Sequence, residues 1–197
     1  NWETTGARVL SNYYYISRLK ISYAAVKNGV FLRNLTRDGI LAVAYTNRGN
    51  AWYKKGNLDK AIEDYNKAIR LDPNFAATYI NRGTAWAKKG NLDEAIADYD
   101  RAIRLDPNFA KAYTTRGNAW YRKGNLDEAI ADYDRAIMLN PNYAAAYINR
   151  GNALADKGNL DKAIADYNIT IKLDRNDAAA YNNRGIVFSM IKQFENA

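Results

Sequence analysis

Seven asparagines recur along the chain at a fixed spacing, and their side chains could bind a ligand. They form two series with the same period, the second lying three positions after the first. A primary amide offers N–H donors and a carbonyl acceptor, so a row of amides can hold the backbone of an extended peptide whatever its sequence. The alternative is that these amides solvate a surface or bond to adjacent turns. The seven are Asn47, Asn50, Asn81, Asn118, Asn149, Asn152 and Asn183.

Two tyrosines and four cations accompany the asparagines. The tyrosines would add flat contact area to a bound peptide, and the cations would supply positive charge toward one end of the row. Single surface cations are more often solvated than functional, so the hypothesis concerns the group. Its members are Tyr53, Tyr121, Lys54, Lys88, Lys111 and Arg122.

The composition excludes several kinds of chemistry. The chain contains neither histidine nor cysteine, which removes disulfides, thiolate nucleophiles, imidazole bases and the usual zinc ligands. No nucleophile–base pair, metal-ligand set or phosphate-binding loop is found among the other residues. We therefore predict a protein that is not an enzyme and that has no cofactor and no metal.

The net charge of +8 is unevenly distributed. Residues 1–41 hold six Lys and Arg against two acids, whereas residues 42–197 hold 23 against 19. The second part is therefore not basic enough to suggest nucleic-acid binding. No long apolar run predicts a membrane span, so we expect a soluble protein, with the cytoplasm favoured although no feature identifies the compartment.

One short phrase shows how the chain is organised. "KKGNLDKAI" at 54–62 returns with small changes at 88–96, 122–130 and 156–164, at the same spacing each time. Each unit of this period contains two helical patterns separated by the phrase. The predicted repeats are 42–75, 76–109, 110–143 and 144–177, followed by a partial repeat at 178–197. Positions below are counted from the first residue of each repeat.

The first helix of each repeat carries a recurring buried face. Spacings of four and then three positions place an aromatic residue at position 4, glycine at position 8 and a large apolar residue at position 11 on one side. A glycine inside a helix costs about 1 kcal/mol relative to alanine, so its recurrence predicts a close approach by a neighbouring helix. The glycines are Gly49, Gly83, Gly117, Gly151 and Gly185.

The phrase is typical of the end of one helix followed directly by the beginning of another. Gly56 can adopt a positive φ at the end of the first helix, and Asn57 is suited to cap the second. In repeats two and three a glutamate stands three positions after the asparagine, which approximates a capping box. The second helix then buries alanine at position 20 and tyrosine at position 24, and ends before an Asp-Pro or Asn-Pro pair in the first three repeats.

These residue types at these positions resemble the tetratricopeptide repeat family, whose unit has the same length. The resemblance covers about four-fifths of the chain and implies an all-α fold, a right-handed α-solenoid of stacked antiparallel helix pairs. Two departures stand out: an arginine at position 7, where the family usually has an apolar residue, and Thr170 with Arg175 in repeat four. Because Arg175 replaces the expected proline, the end of that repeat's second helix is left open.

The arginine at position 7 recurs together with an aspartate at position 23. Both lie at the edge of the buried stripe on facing helices, so we predict an Arg–Asp pair within each repeat, with the arginine stem over a tyrosine. A row of arginines for binding phosphate is the alternative, and the aspartates disfavour it. The predicted pairs are Arg48–Asp64, Arg82–Asp98, Arg116–Asp132 and Arg150–Asp166.

Positions 2, 5, 6, 9, 12 and 13 of the first helix form a second stripe, here called the groove stripe, opposite the buried face. In the family this stripe lines a concave groove that holds extended peptides or partner helices, and its asparagines are similar to the ladder of the O-linked N-acetylglucosamine transferase repeat domain. Repeats two and three differ at ten positions, and six of the ten belong to the stripe. The six pairs are Ala77/Lys111, Ile80/Thr114, Asn81/Thr115, Thr84/Asn118, Ala87/Tyr121 and Lys88/Arg122.

Chaperone-binding members of the family grip a C-terminal carboxylate with five side chains of three successive repeats. At the matching positions this chain has three of the five, and both missing groups are cations. A full carboxylate clamp is therefore not expected, although binding of an acidic or C-terminal segment stays open. The matching positions hold Thr46, Asn50, Asn81, Lys111 and Thr115.

Segment 1–41 does not fit the repeat. It is basic and rich in tyrosine, and we expect a helix that packs on the first repeat. The alternation of large side chains between Tyr13 and Tyr23 and the Asn28-Gly29 pair also fit a strand and a hairpin turn.

We therefore predict a scaffold that binds an extended peptide or partner segment in its groove. One alternative is that segment 1–41 binds nucleic acid or an anionic membrane. Another is that the chain is the repeat portion of a larger enzyme or assembly. The apolar face of the partial last repeat could also self-associate.

Overall fold

The computed structural model describes residues 37–195, and all regular secondary structure in this range is α-helical. The fold is an all-α helical repeat solenoid, as predicted. The expectations for segment 1–41 lie outside the described residues, except that residues 37–41 belong to the first helix. The helices are α1 (Arg37–Lys54), α2 (Leu58–Leu71), α3 (Ala76–Lys89), α4 (Leu92–Leu105), α5 (Ala110–Arg122), α6 (Leu126–Leu139), α7 (Ala144–Asp156), α8 (Leu160–Leu173) and α9 (Ala178–Glu195).

The chain forms two compact units, residues 1–81 and 82–197, and the boundary lies within α3. In the first unit α1 packs against α2. In the second unit each helix from α6 to α9 packs against the helix before it. There α7 also contacts α5, and α9 contacts α7, so the first helices of consecutive repeats lie side by side.

The recurrent phrase ends each first helix in the same way. Gly56 has a φ of +78°, and the corresponding glycines of the next three repeats also lie in the left-handed region, as predicted. The Asn57 N–H donates to the Trp52 carbonyl at 3.0 Å and the Gly56 N–H to the Tyr53 carbonyl at 3.0 Å. These two bonds form a Schellman motif, which satisfies carbonyls that the end of a helix leaves without partners.

The capping prediction is only partly confirmed. The Asn57 side chain accepts a bond from the Lys60 N–H at 3.3 Å. Asn91 and Asn125 hold the same position without a side-chain capping bond. The capping-box prediction was wrong, because the Asn91 amide donates to the Glu94 carboxylate at 3.3 Å instead of capping the backbone.

The core of each repeat is a tyrosine packed against a glycine. A Cβ built on Gly117 would lie 2.7 Å from Cε1 of Tyr133, and the other three complete repeats have the same arrangement. This tyrosine, at position 24 of the second helix, is almost completely buried in all four repeats. Because the mid-helix glycine has no Cβ, the tyrosine ring of the second helix can pack directly against the first helix. This contact confirms the predicted close approach of a neighbouring helix. A Cβ built on Gly185 in α9, by contrast, would meet nothing within 4 Å.

The second helix of repeat four ends where the others end, although Arg175 replaces proline. α8 stops at Leu173, the Asp174 N–H donates to the Thr170 carbonyl at 2.8 Å, and the Asn176 N–H donates to the Asp174 carboxylate at 3.0 Å. The same Asx turn follows α2 at Asp72. The aspartate side chain thus suffices to form the turn without a proline.

Candidate functional site

All four predicted Arg–Asp pairs form, each through two hydrogen bonds. Arg116 donates from Nε and Nη2 to Asp132 at 2.8 and 2.6 Å. The equivalent bonds of the other repeats measure 2.6–2.8 Å. The Arg116 guanidinium also lies over the Tyr113 ring, 5.7 Å from its centroid. The aspartates are buried, so these bonds keep buried carboxylates paired.

The arginines also reach the preceding repeat, which sequence reasoning missed. Arg116 donates from Nη1 to Asp100 at 2.5 Å, and Arg150 donates to Asp134 at 2.5 Å. Hydrogen bonds to Asp132 and Asp100 raise the pKa of Arg116. Each guanidinium therefore ties the second helices of two consecutive repeats to one first helix. The signal in the sequence was the recurrence of Asp or Asn at position 25.

The asparagines at position 9 accept hydrogen bonds from the core. The Tyr133 hydroxyl donates to Oδ1 of Asn118 at 2.8 Å, and the Tyr167 hydroxyl donates to Oδ1 of Asn152 at 2.9 Å. In the first unit the Tyr65 hydroxyl reaches Oδ1 of Asn50 at 2.8 Å. These amides give the buried phenol groups their acceptors, as buried hydroxyls require.

The asparagines at positions 6 and 9 are also bonded to each other across repeats. Nδ2 of Asn149 donates to Oδ1 of Asn118, and Nδ2 of Asn183 donates to Oδ1 of Asn152, both at 2.9 Å. The carbonyl oxygens of Asn118 and Asn152 therefore carry two bonds each. Their Nδ2 groups have no hydrogen-bond partner among residues 37–193. These four asparagines, here called the ladder, are thus partly structural, and the N–H donors of Asn118 and Asn152 remain available for further hydrogen bonds.

Three of the predicted site residues meet around one pocket in the second unit. Tyr121, Asn152 and Asn183 line a pocket of 260 Å³. A carboxylate and an apolar wall, which the sequence-based candidates did not include, complete it. The additional lining residues are Ala155, Asp156, Tyr167, Ile186, Val187 and Met190.

Tyr121 is held in place by Asp156. Its hydroxyl donates to Oδ2 of Asp156 at 2.5 Å. This bond, together with partial burial and the negative charge of Asp156, raises the pKa of Tyr121 to about 12. The ring of one repeat therefore reaches over the end of the next first helix and forms one side of the pocket.

The predicted cations differ in their surroundings. The Arg122 guanidinium donates to the Ala87 carbonyl at 2.7 Å, which joins the first helices α3 and α5 within the second unit. Lys88 and Lys111 have exposed side chains in the same unit, and Lys54 is exposed in the first. The structure therefore gives Arg122 a role in joining repeats and leaves the lysines at the surface.

The lysine that is the second residue of the recurrent phrase forms ion pairs between consecutive repeats. Lys123 pairs with Asp93 of the preceding repeat, and Lys157 pairs with Asp127. The Lys123 ammonium also lies 5.4 Å from the Trp120 ring centroid. This part of the phrase therefore links one turn to the next, whereas the residue before it varies between repeats.

Position 5 was wrongly placed in the open groove stripe. Thr46, Ile80 and Thr114 are all buried. The Thr46 hydroxyl bonds to the Ala42 carbonyl and to the Thr78 hydroxyl, both at 2.9 Å. At Thr46 the hydroxyl of Thr78 on the adjacent first helix covers this position. A carboxylate clamp that used Thr46 would have to break these bonds.

The remaining candidates of the first unit lie on α1 and α3. Asn47 and Lys54 are exposed, while Tyr53 and Asn81 are half-buried. Tyr53 stands one turn after Asn50, which accepts the Tyr65 bond described above. The structure places these residues on first helices, as predicted, and their role in binding stays a prediction.

The chain matches models of the tetratricopeptide repeat family over most of its length. The model described as a tetratricopeptide repeat matches residues 42–75, the predicted first repeat. The model described as a TPR repeat matches residues 85–124, 117–158 and 151–191. The chain therefore belongs to the tetratricopeptide repeat family. Among curated proteins, no sequence matches it.

Several solved structures resemble the chain. A crystal structure of MamA is 32% identical, covering 73% of this chain and 84% of that one, with a TM-score of 0.67. YrrB, described as a TPR protein with an unusual peptide-binding site, is 26% identical, covering 77% and 78%, with a TM-score of 0.63. The first TPR of Spaghetti (RPAP3), bound to the HSP90 peptide SRMEEVD, is 29% identical, covering 64% and 99%, with a TM-score of 0.60.

Two further properties concern residues 37–195. No group of three or more acidic side chains there is arranged to hold a metal ion. None of the helices in this part of the chain combines the length and apolar character needed to cross a membrane.

Proposed function

We propose that this protein is a non-enzymatic scaffold that binds an extended peptide or partner segment along the first helices of its repeats. The proposal concerns the surface that carries the position 6 and position 9 asparagines. Asn118, Asn149, Asn152 and Asn183 follow one another on this surface in the second unit. They provide repeated polar groups along the path of a peptide backbone.

One observation carries the proposal. Tyr133 and Asn149 already occupy Oδ1 of Asn118, and Tyr167 and Asn183 occupy Oδ1 of Asn152. The internal bonds fix each amide so that its Nδ2 donors stay available. Fixed donors lose little conformational freedom when they bind a carbonyl oxygen, which favours affinity. The ladder would therefore donate to the carbonyl groups of a peptide.

The family relationship supports binding of a peptide. The Spaghetti (RPAP3) repeat structure contains the HSP90 peptide SRMEEVD, and YrrB is described by its peptide-binding site. Lys88 and Lys111 on the present chain would attract acidic residues at one end of the bound segment. We accordingly propose that the ligand is a protein segment with an acidic portion near these lysines.

Substitution of asparagine by aspartate separates the two roles of the ladder. Asn118→Asp with Asn152→Asp keeps an oxygen for each tyrosine hydroxyl but replaces the free N–H donors with a second acceptor. The probe is a library of random-sequence heptapeptides displayed on phage, followed by synthesis of enriched peptides. We expect at least a tenfold loss of affinity, since a carboxylate would face each peptide carbonyl.

The control is Asn142→Asp, which adds a charge in the exposed turn that precedes α7, outside the two series of asparagines at positions 6 and 9. Urea denaturation establishes that the double variant is folded. Equal binding of all peptides by the wild type and the double variant would contradict the proposed role of the ladder. Failure of the wild type to enrich any peptide would contradict peptide binding as a whole.

Self-association is the second candidate, and the exposed apolar face of α9 at positions 4 and 11 favours it. Tyr181 and Phe188 are 45% and 52% exposed, although the tyrosines at position 4 in repeats two to four are buried. Two copies of the chain that paired through this face would remove both rings from water. Sedimentation velocity over a range of concentrations tests this, with Phe188→Glu expected to abolish any dimer. A concentration-independent wild type would overturn it.

A further inference from the structure

The pocket beside Asp156 has the chemistry of a subsite for one side chain. Its volume of 260 Å³ is below the roughly 300–1,000 Å³ of pockets that hold small molecules. It lies next to Asn152, whose amide donors face the proposed path of the peptide backbone. A peptide held by the ladder would therefore place one of its side chains in this pocket.

The shape of the pocket follows from one substitution between repeats. Position 12 holds Tyr121 in repeat three and Ala155 in repeat four. The small side chain of Ala155 leaves space that the Tyr121 ring encloses from one side. Met190 and Ile186 of α9 also line the pocket.

One charged group lies in the pocket lining. Asp156 is the sole ionised side chain among the nine lining residues, none of which is a cation. Its Oδ2 accepts the Tyr121 hydroxyl, and within residues 37–193 its Oδ1 has no hydrogen-bond partner. The carboxylate is therefore fixed in position and can accept a second donor. An acidic side chain would be repelled here.

Part of the pocket lining is apolar and accessible. Ile186 is 53% exposed although its side chain lines the pocket together with Val187 and Met190. Lysine and arginine combine an apolar stem with a cationic end, so they match a site with an apolar wall and a single carboxylate. An aliphatic residue would leave the free oxygen of Asp156 desolvated and unpaired.

The position that Asp156 occupies, position 13, carries the opposite charge in the other complete repeats. Position 13 holds Lys54, Lys88 and Arg122 in repeats one to three, and Asp156 in repeat four. Within the second unit a bound segment would thus meet positive charge near Lys88 and negative charge at this pocket. Opposite charges at the two ends would fix the direction in which the segment lies.

We propose that the pocket lined by Tyr121, Asp156, Ile186 and Met190 binds a lysine or arginine side chain of the partner segment. The inference rests on the proposed function and specifies the chemistry of its ligand: a segment with a basic residue at the pocket and acidic residues toward Lys88 and Lys111.

The test compares wild type, Asp156→Asn and Asp156→Lys in selection from the phage-displayed heptapeptide library. Asp156→Lys introduces the residue type of the other repeats at an exposed helix end, where a cation is favourable. Glu128→Lys, on the exposed side of a second helix, is the control for the change in net charge. We expect the wild type and the control to enrich lysine or arginine at one register. Asp156→Lys should lose that preference and select Asp or Glu there.

An enriched peptide is then synthesised with lysine or norleucine at that register, and both are titrated by fluorescence anisotropy. The wild type should prefer lysine by about tenfold, and Asp156→Asn should remove most of this preference. If peptides are enriched with no basic preference, or if Asp156→Lys keeps it, the pocket inference is overturned while peptide binding stands. If no variant enriches any peptide, the proposed function fails and the pocket inference fails with it.

Discussion

At the scale of single residues, the asparagines at position 9 combine a structural role with a proposed binding role in one amide group. The oxygen of Asn118 supports the Tyr133 hydroxyl and the Asn149 amide, while its nitrogen stays available. An alanine substitution would remove both functions, so a loss of binding in such a variant would not distinguish a contact from a damaged scaffold. Substitution by aspartate does distinguish them.

The glycine–tyrosine contact leads to a prediction with an internal control. Gly117→Ala would place a methyl group 2.7 Å from Tyr133 and 3.2 Å from the Ala129 carbonyl oxygen. Overpacking typically costs about 1–3 kcal/mol, which outweighs the gain of about 1 kcal/mol in helix propensity. Urea denaturation should therefore show a net loss of up to about 2 kcal/mol.

Gly185→Ala is the matched variant, because its Cβ would meet nothing within 4 Å. It should raise the free energy of unfolding by up to about 1 kcal/mol through helix propensity alone. Equal effects of the two substitutions would show that the Tyr133 ring does not explain the glycine.

The hydrogen bond between Tyr121 and Asp156 predicts a change in the pKa of the phenol. Asp156 contributes to raising the pKa of Tyr121 to about 12, both as an acceptor and as a negative charge. In Asp156→Asn the charge is lost, so the pKa of Tyr121 should fall toward about 10, its ordinary value. Titration of ¹³C-labelled tyrosine by NMR measures this, with Tyr121→Phe used to assign the signal. An unchanged titration would contradict the bond.

At the scale of helices, the arginine at position 7 holds three elements together. Arg116 on α5 bonds to Asp132 on α6 and to Asp100 on α4. The first bond closes a repeat, and the second joins it to the preceding repeat. Asp132 is buried, whereas the Asp100 side chain is 36% exposed, so the two bonds should not contribute equally.

Double-mutant cycles on Arg116 test this difference. The coupling free energy between Arg116 and Asp132 should be about 2–3 kcal/mol, as for hydrogen bonds between buried charged groups. The coupling between Arg116 and Asp100 should be below about 1 kcal/mol, because solvent screens it. Alanine substitutions measured by urea denaturation provide both values. A larger coupling to Asp100 would reverse the proposed order.

At the scale of the whole molecule, one tyrosine per complete repeat is buried with its hydroxyl bonded to the groove surface. Burial raises the pKa of Tyr65 and Tyr133, and raises that of Tyr167 to about 12. The scaffold and the proposed binding surface are therefore linked through the same phenol groups.

This burial predicts how stability depends on pH. Free tyrosine ionises near about pH 10, and the folded state holds its phenol protons to higher pH. The folded state thus binds more protons above about pH 10, so stability is fully present below that pH and falls as the pH rises toward about 12. Urea denaturation at a series of alkaline pH values should show this decline, and Tyr167→Phe should reduce its slope. A constant free energy of unfolding across the range would contradict it.

Much of the fold could be predicted from the sequence, because each helix is specified by residues close together in the chain. The helical faces, the positive φ of Gly56 and the pairing of Arg116 with Asp132 all follow from a pattern that recurs in every complete repeat. Position 5 was misplaced because Thr46 is buried against Thr78 of the neighbouring repeat. The capping box failed because Glu94 bonds to the Asn91 side chain instead of the backbone.

The sequence by itself determined the all-α repeat fold and the family, since these depend on local periodicity and residue type, and it indicated the surface on which we propose that a partner binds. Only the tertiary structure decided which atoms remain available on that surface. The stacking of consecutive repeats engages the oxygens of Asn118 and Asn152, bonds Arg116 to Asp100, and brings Tyr121, Asp156 and Met190 around one pocket. These residues are distant in the chain, and their contacts depend on how one helix pair packs on the next.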